Sequence, residues 1–261
     1  MKQLFICEKH HHVLLPWAMT RKQRDNLSLL TFDHHTDIHD AFLNYLYYHD
    51  KEKLDDLIEK INYKDHNSLI SAIKILKNDE HIDTALRCKI INKAFVISFD
   101  GPFDKPASNE FESMHKDLEM KAKFMMGLIS LPKLQTYPKS DLYVVGTYEY
   151  IDDDNCISDN FLSEILKKIK IMSYIDITNT DFILDIDLDY FHTYDSLNRD
   201  DLNEFRCLLA KAHAITIATE PDFAKVGVNP ETLLSKLITL ARQENSDNIE
   251  IVDLRQDFEQ I

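Results

Sequence analysis

The segment Phe182-Ile183-Leu184-Asp185-Ile186-Asp187-Leu188-Asp189-Tyr190-Phe191 constrains this chain more than any other. A two-residue period puts Asp185, Asp187 and Asp189 on one face of a strand spanning Asp181–Asp189 and turns Ile186 and Leu188 to the opposite layer. Three carboxylates so close together repel one another strongly when desolvated and unpaired. Either a cation offsets that repulsion or the strand lies in water. The flanking Phe182, Ile183, Leu184, Tyr190 and Phe191 oppose exposure, so the segment predicts a buried strand that ends in a metal site. The readings set aside are a calcium-like surface site and a solvated edge strand.

Two further segments have the same character. In Leu29-Leu30-Thr31-Phe32-Asp33-His34-His35-Thr36-Asp37 an apolar strand runs into a burst of acids and imidazoles. Asp33, His35 and Asp37 share one side if the backbone stays extended. In Glu8-Lys9-His10-His11-His12-Val13-Leu14 a strand hands over to a helix, where His10 or His11 can complete a set of ligands. A solvated loop is the plainer reading of the triple histidine. Ligands of open α/β sheets bind beyond the carboxyl ends of the strands, where all three segments would lie. Carboxylates with imidazole suit manganese or another divalent first-row ion better than thiolate-seeking metals, and bridging carboxylates allow two ions.

The rest of the chain alternates short apolar runs with longer amphipathic ones. Strands are expected at Gln3–Glu8, Ser28–Asp33, Ala94–Phe99, Asp141–Gly146, Asp181–Asp189, Ala214–Ala218 and Ile249–Val252. Helices are expected to begin near His11, Asp40, Lys51, Asn67, Asn109, Ser158, Arg199 and Asn229. Leu162, Ile165, Leu166 and Ile169 keep helical spacing, and Asn229-Pro230-Glu231 reads as a capped helix start. Gly101–Ser108 reads as a loop and Asp152-Asp153-Asp154-Asn155 as a turn. This pattern predicts an α/β fold, a mostly parallel sheet with helices on both faces. No repeat or linker divides it, so residues 1–261 are expected to form one domain.

Charge and cysteine usage narrow the partners. A net charge of −15 opposes nucleic acid, which needs a basic surface to displace counterions, and is compatible with a cationic substrate. Ordinary solubility is the plainer explanation. No apolar run is long enough to span a bilayer, and Met1-Lys2-Gln3 leads into a strand without a signal-peptide core. The four cysteines show no CxxC spacing, which favours free thiols in a cytoplasmic protein.

Asp33-His34-His35-Thr36-Asp37 resembles the Asp-x-His-x-Asp motif of the ureohydrolase superfamily of arginases and agmatinases. The Asp185–Asp189 run is similar to that superfamily's later Ser-x-Asp-x-Asp strand, with Asp185 in the serine position. His10 precedes Asp33 at a separation like the family's own. Glu8-Lys9-His10, Val13-Leu14-Leu15-Pro16, Phe32–Asp37, Leu184–Phe191 and Ile215–Thr219 resemble more closely the family that includes the peptide arginases of ribosomal peptide biosynthesis. Lys9 departs from an acidic residue, and the glycines of the superfamily's first motif are absent, which leaves both His10 and His11 open.

The resemblance implies a three-layer arginase-like fold and two Mn2+ ions held by His10, Asp33, His35, Asp37, Asp187 and Asp189. Asp185 would support them, although a register using Asp185 and Asp187 as ligands stays open. It further implies hydrolysis of arginine to ornithine and urea within a precursor peptide, by a metal-activated water. Asp37 would relay a proton, and Glu220, directly after the Ala214–Ala218 strand, would bind the guanidinium. A shuttling histidine is sought among His39, His49, His66 and His81. His66 is preferred, because Asp65-His66-Asn67 opens a predicted helix. Other readings are a ureohydrolase for a small guanidino compound such as agmatine, a metallophosphoesterase of the Asp-His-His kind, and a metal-binding protein without turnover. An oligomer is compatible with all of them.

Overall fold

A computed structural model of the protein describes residues 1–49, 52–99, 135–136, 141–146, 153–223, 227–246 and 248–258. The loop expected at Gly101–Ser108 and the helix expected near Asn109 lie outside these residues.

The strands are β1 (Lys2–Cys7), β2 (Ser28–Asp33), β3 (Lys93–Ser98), β4 (Gln135–Thr136), β5 (Leu142–Gly146), β6 (Phe182–Asp187), β7 (Ala214–Ala218) and β8 (Ile249–Asp253). They form one sheet in the order β4-β5-β3-β2-β6-β7-β1-β8. Every neighbouring pair is parallel except β4 with β5. Strands buried on both faces need near-continuous apolar runs, which β2, β6 and β7 supply.

Side-chain alternation sorts the core into two layers. Leu30, Phe32, Leu184, Ile186, Ile215 and Ile217 face one side. There they meet α6 (Asp159–Ser173), α7 (Asn203–Lys211) and α8 (Pro230–Glu244). Phe5, Cys7, Leu29, Val96, Ile183 and Ala218 face the other, against α1 (Leu14–Arg21), α4 (His66–Ile73) and α5 (His81–Arg87). Two short helices, α2 (Leu43–Tyr48) and α3 (Leu54–Lys60), complete that side. The fold is therefore α/β in three layers, as the sequence pattern predicts. No described helix is long and apolar enough to cross a membrane.

One expectation is corrected here. The strand expected to reach Asp189 stops at Asp187, whose side chain accepts a hydrogen bond from the Asp189 N–H at 3.3 Å and caps a 3-10 turn over Leu188–Tyr190. Leu188 still packs in the same layer as Ile186, but Asp189 leaves the strand. The short helix α5 and the two-residue β4 are absent from the sequence reading, because each is too brief to show a period.

Candidate metal centre

Parallel pairing brings the carboxyl ends of β2, β6, β7 and β1 side by side. Each end carries charge. Asp33 is the last residue of β2, with His35 and Asp37 in the turn that follows. That turn is not extended: the His35 N–H donates to Asp33 Oδ1 at 2.9 Å, and Asp37 takes a left-handed backbone with φ of 47°. The folded-back turn brings the three residues of the motif to one place. Glu220, after β7, also has positive φ, 30°. Left-handed backbone costs such residues about 1–3 kcal/mol and concentrates at functional sites.

The exits of β1 and β7 stay paired past the strands. The Glu220 N–H donates to the Glu8 carbonyl at 2.8 Å, and the His10 N–H donates to Glu220 Oε1 at 2.7 Å. A buried 3-10 turn, His10–Val13, then carries the His10 ring over the sheet edge. His10 Nδ1 lies 2.8 Å from Asp37 Oδ2 and 3.4 Å from both Asp33 Oδ2 and Asp187 Oδ2. Its Nε2 lies 2.8 Å from Asp185 Oδ2.

Register explains how Asp185 is held. Thr31, Asp185 and Thr216 are lateral neighbours on β2, β6 and β7. The Thr31 hydroxyl donates to Asp185 Oδ2 at 2.7 Å, the Thr216 hydroxyl donates to Oδ1, and the Trp17 indole N–H donates to Thr216 Oγ1 at 3.1 Å. With two hydroxyls already donating to Asp185, the network places a proton on His10 Nε2. Nδ1, the ring atom left to hold a proton or an ion, is then aimed at three carboxylates. A histidine oriented by an outer carboxylate in this way is the usual posture of a metal ligand.

Electrostatics reach the same result. Asp33, Asp37, Asp185, Asp187, Asp189 and Glu220 are all buried. Burial first, then the charges of neighbouring acids, raises Asp33 and Asp187 well above the carboxylate range, and burial also raises Asp37 and Glu220. For His10 burial disfavours the charged ring, but Asp185, Asp187 and Asp33 outweigh it and raise its affinity for a proton. Asp33 Oδ2 and Asp189 Oδ2 are buried without a hydrogen-bond partner among the described residues. Divalent cations would offset like charges crowded around orphaned oxygens.

The donors fall into groups that could each hold an ion. His10, Asp33 and Asp187 offer ligand atoms within 4.8 Å of one another, as do Asp33, His35 and Asp189. These two groups share Asp33, and a third consists of His10, Asp37 and His81. In the second, Asp189 Oδ2 lies 3.2 Å from His35 Nδ1, while its Oδ1 accepts from the His34 N–H at 3.2 Å. Leaving the strand is what lets Asp189 reach across to β2.

A cleft of about 770 Å³ opens onto this centre, lined in part by His35, Asp37, Asp187 and Glu220, the last three of them buried. His11, the alternative first ligand, lines the cleft but belongs to none of the donor groups among the described residues, and its Nδ1 pairs with Asn78 Oδ1 at 2.5 Å. Burial lowers its ring to a pKa of about 4. The preference for His66 is corrected. It is exposed at the first turn of α4, whose buried face is Leu69, Ala72 and Ile73, and it does not line the cleft. His49 stacks on Tyr45 at the surface, and His39 lines the cleft paired with Asp79.

The histidine that the fold brings to the cluster is His81, fully buried at the start of α5. Its Nδ1 lies 3.9 Å from Asp37 Oδ2, and its ring centroid is 4.4 Å from that of His10. Burial, then the charge of His10, keeps it neutral, and Nδ1 donates to the Asn78 carbonyl at 2.6 Å. Thr31, Thr216 and Trp17 were also missed. A threonine inside a buried apolar strand needs a partner for its hydroxyl, and that signal was available.

No protein-family model matches the chain, and a search of curated proteins finds no match. Among solved structures the chain is similar to proclavaminate amidino hydrolase from Streptomyces clavuligerus, at 11% identity and a TM-score of 0.44. That likeness covers 92% of this chain and 62% of the other, so the chain spans less than two thirds of its neighbour's length.

Proposed function

We propose that the chain is an arginase-like ureohydrolase that holds two divalent cations, manganese by expectation, and converts arginine residues of a peptide to ornithine with release of urea. The observation that carries this reading is the pair of donor groups sharing Asp33, of which His35 and Asp187 line a cleft that also contains the buried carboxylate of Glu220. His10, Asp33, Asp37 and Asp187 would hold one ion, and Asp33, His35 and Asp189 the other. Two such ions supply a nucleophile at neutral pH by acidifying water, and they polarise the group under attack.

The chain's own residues do the rest. A guanidinium is always charged and presents a planar fork of donors, so its site needs a fixed carboxylate. Glu220 is fixed through Oε1 by the His10 N–H, which leaves Oε2 for the substrate. Asp37 lines the cleft. As a carboxylate it would take up a proton at an oxygen and return it to the leaving amine. Asp185, Thr31, Thr216 and Trp17 keep the His10 ring in one orientation. The peptide substrate rests on the resemblance of the motif segments to the peptide arginases.

The test is incubation of the manganese-loaded protein with arginine peptides, followed by mass spectrometry and a urea assay. Ornithine in the peptide with matching urea is the expected result. Urea from agmatine but from no peptide would move the substrate to small guanidino compounds. Turnover of p-nitrophenyl phosphodiesters without urea would replace the reading with phosphoester hydrolysis.

A further inference from the structure

The cleft has a floor and a rim of opposite sign. Asp37, Asp187 and Glu220 lie on its floor, while Lys9, Lys74 and Lys77 also line it and are exposed. Lys9 comes from the link between β1 and the His10 turn, Lys74 from the end of α4, and Lys77 from the link to α5. Three cations from two separate parts of the chain thus converge on one opening. None forms an ion pair among the described residues, although acids outnumber bases 45 to 30 in the whole chain. The acid on that wall, Asp79, is already paired with His39.

A net charge of −15 repels acidic ligands in general, so a lysine-rimmed opening is where such a ligand would be accepted. The floor and rim together fit a dipolar substrate, with a cationic head inside and an anionic group at the mouth. We propose that Lys9, Lys74 and Lys77 form a carboxylate-binding rim that selects guanidino groups with a carboxylate close by, and so arginines flanked by acidic residues in a peptide. The proposal names the substrate class of the same site, and the guanidinium half of it rests on the ureohydrolase reading. The carboxylate can come from a neighbouring aspartate or glutamate side chain, or from a free chain end beside the arginine.

Fluorescence anisotropy with three labelled peptides tests this independently of turnover. One has glutamates flanking the arginine, its twin has glutamines, and the third has glutamines with a free carboxylate adjacent to the arginine. The glutamate peptide should bind about tenfold more tightly than the glutamine twin at low salt, a summed effect of three exposed charge contacts that fades as salt is added. Tighter binding of the third peptide assigns the same rim to a chain-end carboxylate. The Lys9→Glu, Lys74→Glu, Lys77→Glu protein, its folding checked by circular dichroism, should lose or reverse the preference. Lys74→Glu alone, at an exposed helix end, should reduce it about twofold and covers the case in which the triple variant does not fold. Equal binding of all three peptides, or an unchanged preference in the folded variants, overturns the rim. A clear glutamate preference with no urea released from any peptide supports the rim and ends the hydrolase reading.

Discussion

The centre has two unlike halves. Around His10 it is closed: the ring is fully buried, and Asp185, held by Thr31 and Thr216, fixes its orientation. Around His35 it is open: that side chain is 47% exposed at the cleft floor, while its partner Asp189 is buried. Asp33 belongs to both. The difference assigns separate tasks. On the proposed reading the closed half would anchor an ion in a preset geometry, and the open half would present its ion and the adjoining carboxylates to substrate.

The largest expected effect comes from the residue common to both halves. Asp33→Ala should lower urea release by more than about a hundredfold, beyond the range that outer partners of a metal command. It should also raise the melting temperature of the metal-free protein, because one buried carboxylate is removed from a cluster of like charges. Retention of full activity would end the site assignment.

Next come one residue from each half. His35→Ala should lose the open-half ion while the other ion stays, giving one ion per chain by elemental analysis and a loss of about a hundredfold in activity. Asp185→Asn leaves the ligands in place and disturbs only their orientation, so a smaller loss is expected, about tenfold, with weaker metal binding in the closed half. A larger loss from Asp185→Asn than from His35→Ala would reverse the division of labour.

Proton linkage sharpens the same contrast. Without cations, Asp33, Asp37, Asp187 and Glu220 bind protons more tightly in the folded chain than in the unfolded one. His10 does so too. The folded state therefore holds the extra protons, and stability falls as pH rises, from about 4 upward for the carboxyls and from about 6.5 upward for His10. Added manganese displaces those protons, so its stabilising effect should grow with pH. Melting curves at several pH values, with and without manganese, check both slopes. A metal-free protein that gains stability over this range would contradict the crowded-acid account.

The smallest effect is expected at His66. It is exposed and away from the cleft, so His66→Ala should change activity by less than about twofold. His81→Ala is the informative counterpart, because His81 is buried against His10 and Asp37.

The body of the fold was legible in the sequence because strands buried on both faces are written as apolar runs. Ser28–Asp33 and Ala214–Ala218 match the expected spans. The acids were legible because three carboxylates among Phe182–Phe191 have no other physical outlet. The strand ends were not. Whether Asp189 continues the strand or turns out of it depends on a hydrogen bond to Asp187, which alternation does not encode. Choosing among histidines failed for a related reason. His66 stands at the start of an expected helix, whereas the short helix that carries His81 shows no period in the sequence, and only the packing of α4 and α5 on the sheet reveals which histidine approaches the acids. The link from Thr31 and Thr216 to Asp185 depends on which strands are neighbours, and strand order is not written along the chain.

Anomalous diffraction from crystals grown with manganese tests the central claim most directly. The account predicts two peaks about 3.5–4 Å apart, one among His10, Asp33, Asp37 and Asp187 and the other among Asp33, His35 and Asp189. Manganese bound elsewhere on the molecule, with no peak beside Asp33, would contradict it.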